Sequence, residues 1–204
     1  MGEIKQGRLG VPPDCQMLVT GQVTQYGDEK DDGYYQKGKS KKYVVLDTGQ
    51  YSGTVDVTLN GKTHATSNKC VLDKRTGLMW MQEVVQADIG PEGDGKLYWK
   101  EVADVENIFR FKAQVNFQKV GGYGDWRVPN VVEMLSLVWW DKGSAPNIDT
   151  DAFPSTPNEW HYSSTSWGID NAQVIQFGLW VDVGYNVKAT IKNYCRLVRG
   201  PKFE

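Results

Sequence analysis

Short runs in which apolar and polar positions alternate dominate the chain. Residues 53–59, Gly-Thr-Val-Asp-Val-Thr-Leu, repeat with period two and lead into Asn60-Gly61, a pair that favours a tight hairpin turn because both residues tolerate positive φ. Similar β-type runs fall at 17–21, 42–46, 162–165, 173–177, 179–183 and 194–199. Residues 69–82 predict a second hairpin, with 74–77 as its turn. A helical spacing of Val102, Val105, Ile108 and Phe109 predicts a first helix within 99–119, although 111–117 alternates and fits either element. A clearer helix is expected from Pro129. Proline suits a first turn, Asn130 and Glu133 are spaced as a capping box, and Val131, Met134, Leu135 and Val138 mark one apolar face before residues 141–144 stop it. Residues 1–14 predict an arm, because Gly7, Gly10, Pro12 and Pro13 exclude regular structure. The polar, Gly-rich stretch 26–42 predicts a surface loop, 87–96 a turn-rich loop, and 142–160 a long loop containing Pro and Asp.

At 204 residues the chain suits one large domain, or one domain plus a smaller appendage. Its 8 Trp, 10 Tyr and 22 Gly fit short strands, tight turns and aromatic binding faces. The formal charge of -2 excludes nucleic acid as the main partner, and Lys37, Lys39, Lys41 and Lys42 beside Asp28, Asp31 and Asp32 read as a solvated loop. The N-terminus has no apolar leader and no apolar run approaches about 20 residues, so membrane insertion is not expected. Either a signal has been removed or the protein is released without one, as phage structural proteins are on lysis. The arm is expected to dock on a neighbouring subunit or a larger particle. Of Cys15, Cys70 and Cys195, Cys70 and Cys195 could be bridged, or all three reduced.

Reactive signatures are missing from the sequence. There is no Gly-x-Ser-x-Gly elbow, no His-Glu-x-x-His, no Cys-x-x-Cys and no phosphate-binding glycine loop. His161, between Trp160 and Tyr162, reads as a surface or structural residue rather than a base. Asp141, Asn147, Asp149 and Asp151 carry oxygen ligands, but their spacing fits no calcium loop and reads as a solvated turn; no metal or cofactor is expected. The candidate contact residues are instead Trp139, Trp140, Trp160, Tyr162 and Trp180. Adjacent Trp139 and Trp140 cannot share one helix face, so at least one is expected to project outward. The same rings would serve equally as a subunit interface. Trp80 and Trp167 are expected in the core.

Four segments occur in a recognisable order: residues 71–80 ending in Trp80, Gly121-Gly-Tyr-Gly-Asp-Trp-Arg-Val-Pro-Asn130, residues 148–165 with Phe153-Pro-Ser-Thr-Pro157 and Tyr162-Ser-Ser-Thr165, and Tyr194-Cys-Arg-Leu-Val-Arg-Gly200. Together they resemble the C-terminal domain family of the Legionella collagen-like adhesin. The resemblance implies an α+β, C-type-lectin-like fold of small antiparallel sheets, two helices and long loops, with the chain ends close together. It divides the chain into an arm (1–15), a β-rich lead-in (16–66) and the lectin-like domain (67–204). Family members are adhesive surface modules or phage-tail parts. Some form trimers and bind sulfated glycans, so a homotrimer is one expected assembly. Within the motif, Trp126 is expected to fill the core, while Gly124, Asp125, Arg127 and Pro129 specify the fold and Ser163, Ser164 and Thr165 satisfy strand-edge backbone. The cysteine that many relatives carry in the first helix is absent, so Cys195 lacks that partner, and the calcium signature of true C-type lectins is also absent. Cys195 alone makes a thiol-oxidase role, as in the related formylglycine-generating enzymes, a weak reading. The expected function is a non-catalytic lectin-like module on a phage virion, recognising a host-surface glycan or protein, with the arm contacting other virion or surface proteins. A secreted bacterial adhesin and a structural virion protein without ligand are the alternatives.

Overall fold

The computed structural model describes residues 20, 22, 24–26, 30–35, 42–84, 94–99 and 107–200. The arm, the run at 17–19, Cys15, Val102 and Val105 lie outside the described residues. In chain order the elements are α1 (Asp32–Tyr35), β1 (Tyr43–Leu46), β2 (Thr54–Leu59), β3 (Lys62–Ser67), β4 (Cys70–Asp73), β5 (Met79–Met81), β6 (Leu97–Tyr98), α2 (Ile108–Phe117), α3 (Val131–Leu135), β7 (Trp160–Trp167), β8 (Asn171–Gln176), β9 (Asp182–Val187), β10 (Lys192–Asn193) and β11 (Val198–Arg199). The result is an α+β chain of small antiparallel sheets and few helices.

The central sheet has the order β1-β4-β5-β11. Its register aligns Val71 with Trp80 and Trp80 with Val198, and these three side chains enter one apolar cluster with Met134, Ile148, Phe153 and Phe177. Cys70 and Met81, opposite each other, enter the other cluster with Trp126, Phe111, Val115 and Leu197. Both faces of this sheet are therefore covered, which is why 78–81 is a continuous apolar run rather than an alternating one. The last strand, β11, pairs with the β4–β5 hairpin, so the end of the described chain returns to its early part.

The β2–β3 hairpin turns at Asn60 and Gly61 with φ of 47° and 77°, as the pair predicts. Val57 and Leu59 point from it into the Trp126 cluster, so the lead-in shares a core with the rest of the chain. Above it, α2 is capped by the Asn107 side chain, which accepts from the Phe109 and Arg110 N–H groups. Ile108, Phe111 and Val115 form its buried face, so the segment that fits two periods is helical.

Two expected boundaries are corrected. The capping box at Asn130 and Glu133 is present, but α3 stops at Leu135 instead of running to 140. Beyond it the Leu137 and Val138 N–H groups bond three residues back, the Ser136 hydroxyl donates to the Glu133 carbonyl, and Val138 bridges to Ile148. Pairing with 147–148 thus outcompetes helix continuation, and Trp139 and Trp140 sit on a loop. Likewise β9 spans 182–187, not 179–183. The Asn147 side chain donates to the Gly178 and Leu179 carbonyls at 2.8 and 2.9 Å and holds 178–180 in a turn outside the ladder.

Candidate functional site

Three of the proposed contact tryptophans come from segments that Asn147 ties together. The Trp139 N–H donates to the Asn147 carbonyl at 2.9 Å, the Asn147 N–H donates to Phe177 at 2.8 Å, and its side chain grips the turn that carries Trp180. Trp140 is 50% exposed and Trp180 82% exposed, with Leu179 exposed beside it. Trp139 is half-buried. An indole left open to water on a backbone held by a buried asparagine offers an apolar contact at small ordering cost.

The other two candidates are placed elsewhere. Tyr162 is fully buried, and its hydroxyl donates to the Ile191 carbonyl, so it is a core residue and not a contact residue. The reason is strand parity: on β7 it faces Trp99 and the Trp126 cluster. Trp160 opens the same strand and packs partly buried on that cluster, its ring 3.2 Å from where a side chain at Gly184 would begin. Sequence reasoning also missed an aromatic pair. Trp167, expected in the core, is 59% exposed and stacks on Tyr185, itself 61% exposed, with ring centroids 6.2 Å apart and planes inclined by 12°. The parity of Val183, Tyr185 and Val187, all on one side of β9, was the available signal.

The residues of the Gly124–Pro129 motif are engaged with the fold itself. Asn116 brackets Trp126, accepting from its N–H at 2.7 Å and donating to its carbonyl at 2.9 Å, while the indole N–H donates to Val120. A side chain on Gly124 would begin 3.2 Å from the Asn116 carbonyl. Asp125 accepts two hydrogen bonds from Arg199, whose guanidinium lies 3.7 Å from the Tyr123 ring centroid. Arg127 makes a two-pronged pair with Glu133 at 2.8 and 2.6 Å. Burial would raise the Glu133 carboxyl, but the Arg127 and Asn130 donors hold it below its ordinary range. The Pro129 carbonyl accepts from the exposed Ser164 N–H, the buried Ser163 hydroxyl donates to Gln173, and Thr165 accepts from the Val131 N–H. Trp80 is wholly buried.

Among the described residues, His161, Cys70 and Cys195 are shut away from solvent. His161 is fully buried. Its Nδ1 lies 2.9 Å from the Glu159 carbonyl, its ring packs edge-on against Phe177, and burial with the nearby Arg196 charge pushes it down to about 3. Cys70 and Cys195 are buried free thiols, each pushed up by burial to about 12. Arg196 is the unforeseen residue. It is fully buried, donates to the Met81 and Gln82 carbonyls and the Thr156 hydroxyl, and lies over Phe153; burial lowers it to about 9. Its partners join β5, the 153–156 loop and the last segment, which is a structural task. Asp141 accepts from the Thr24 N–H and the Tyr26 hydroxyl, whereas Asp149 caps the backbone at 151 and 152, so the two carboxylates serve separate turns. A shallow pocket between the β2–β3 hairpin and α2 is lined by Thr58, Leu59, Asn60, Arg110, Ala113 and Gln114, and Arg110 donates to Asn60 across it. No helix among the described residues is long and apolar enough to cross a membrane.

No curated protein and no solved structure matches the chain. The family model of the Lcl C-terminal domain matches residues 69–199, well over half of the chain, from just before β4 to the end of β11. The chain therefore belongs to the adhesin-related Lcl C-terminal domain family.

Proposed function

We propose that this protein is a non-catalytic, lectin-like recognition module, displayed at a virion or cell surface, whose contact face is built on Trp140 and Trp180 and binds a host-surface glycan. The observation that carries the reading is the pair of exposed indoles on two segments locked together through Asn147. Sugar rings stack on exposed aromatic faces, and a rigid backbone keeps the ordering cost of binding small. The non-catalytic reading is supported by a His161 ring held neutral and shut away, and by thiols that burial keeps protonated at neutral pH. We read the fold as C-type-lectin-like on the return of β11 to the β4–β5 hairpin, with α2, α3 and long loops around it.

A glycan array probed with the full chain tests this. Binding to a subset of glycans is expected, with Trp180→Ala and Trp140→Ala each weakening it by about tenfold or more, the scale of an aromatic hot spot. Both side chains are exposed, so thermal unfolding should stay close to wild type. Binding unchanged in both variants, or no glycan binding at all, would sink the reading.

A further inference from the structure

Two phenols meet where the lead-in touches the 121–130 motif. The Tyr51 and Tyr123 hydroxyl oxygens are 3.0 Å apart, one donating to the other, while the ring centroids are 6.4 Å apart and the planes are inclined by 37°. The rings therefore converge at their hydroxyl ends, which brings the ortho carbons beside the hydroxyls closer than the rest of the rings. Both rings are held in place. Tyr51 ends the turn Gly49–Tyr51, its N–H donates to the Thr48 carbonyl at 3.1 Å, and its ring lies against Gly121. A Cβ added at Gly121 would sit 3.5 Å from Tyr51 Cδ1 and 2.6 Å from Cys70 Sγ, and φ there is 60°, so only glycine serves both the turn and the contact. Tyr123 follows the turn Val120–Gly122 and carries the Arg199 guanidinium on its ring, fixed in turn by Asp125. Each phenol packs partly buried on the Trp126 cluster and keeps part of its surface in water.

We propose that Tyr51 and Tyr123 are an oxidative modification site, coupled by a peroxide oxidant into a dityrosine that staples the lead-in to the rest of the chain. The bond to Tyr123 raises the Tyr51 phenol above its ordinary range, so at neutral pH a proton leaves with each electron. Each phenol gives up one electron and one proton, and the peroxide takes both pairs and leaves as two waters. The two phenoxyl radicals carry unpaired spin on their ortho carbons, and these join as a Cε–Cε bond. Each Cε then passes its displaced hydrogen to its own ring oxygen, which restores both phenols. The product is a biphenol whose two hydroxyls sit side by side and hydrogen-bond across a twisted ring junction. The hydroxyl contact and the tilt of the rings already have that form, and bond formation asks only that the rings draw together. Tyr34 and Tyr35, the other tyrosine pair in ring contact among the described residues, meet edge to face at 90° and lack this arrangement. Residues 51 and 123 are 72 apart in the chain, and closing a loop of that length restricts the unfolded state. The proposal stands apart from the identity of any ligand.

Treatment of the dilute full chain with hydrogen peroxide and a haem peroxidase tests it. Chains without an intermolecular cross-link should show dityrosine fluorescence, an intact mass lower by two hydrogen atoms, and a cross-linked peptide pair that carries residues 51 and 123. Tyr51→Phe and Tyr123→Phe each keep the ring and lose a single hydrogen bond, and each should lose this product. The cross-linked chain should unfold roughly 5 °C or more above Tyr51→Phe treated in the same way, the scale of a covalent closure of this length in a chain of this size. Intermolecular cross-links alone, an internal cross-link that maps to Tyr34 and Tyr35 or to a thioether on Cys70, a phenylalanine variant that yields as much product as the wild type, or a cross-linked chain no more stable than the treated variant would each overturn the proposal.

Discussion

At the scale of single residues, the buried ionisable groups separate structure from chemistry. His161 is held neutral by burial, with Arg196 adding repulsion against a proton. In the unfolded chain the imidazole titrates at its ordinary value near 6.5. The folded value is depressed, so the unfolded state binds the extra proton between pH 6.5 and about 3. The stabilisation is complete above the unfolded pKa and is lost as pH falls toward the folded one, with a limiting slope of about 1.4 kcal/mol per pH unit. Urea unfolding between pH 7 and 5, where most carboxylates stay ionised, should show stability falling with acidification in the wild type and a flatter profile in His161→Gln. Identical profiles would mean that the ring gains access to water. The sequence left His161 as a surface or structural residue, and its complete burial overturns the surface alternative. The burial of Arg196 was not legible, because its three acceptors come from residues 81, 82 and 156, far away in the chain.

At the scale of elements, starts were more legible than stops. The Asn60-Gly61 turn and the Asn130–Glu133 box act through chemistry within four residues, so the sequence carries the whole signal. The end of α3 is decided by residues 147 and 148, and the start of β9 by a side chain at 147, neither of which a local pattern can register. The capping box is therefore a place where local energy can be measured. Asn130→Ala removes the acceptor for the Glu133 N–H and should cost about 1 kcal/mol, the usual value for such a cap. Glu133→Gln keeps the reach to the Asn130 N–H but weakens the pair with Arg127. Urea midpoints of both variants check this. A loss well below 0.5 kcal/mol for Asn130→Ala would show that packing of Met134 alone holds the helix.

At the scale of the whole molecule, the family match begins at residue 69, but the core does not. β1 supplies the outer strand beside β4, and the β2–β3 hairpin sends Val57 and Leu59 beneath α2 into the cluster around Trp126. Local patterns revealed these strands. What they join could not be read from them, because a strand's partner is set by contacts distant in sequence. Burying two such side chains contributes about 1.5–3 kcal/mol each, and a domain of this kind has only about 5–15 kcal/mol in total. Removing residues 1–68 therefore takes away roughly 3–6 kcal/mol of burial before the lost β1 ladder is counted, which is enough to unfold a chain of ordinary stability. The fragment 69–204 should lose near-ultraviolet circular dichroism and bind a hydrophobic dye, the marks of a collapsed chain without fixed packing. The full chain should unfold cooperatively under the same conditions. If the fragment instead unfolds in one sharp transition within about 5 °C of the full chain, a shift worth only about 1–2 kcal/mol at this size, then Val57, Leu59 and β1 decorate the core and do not build it.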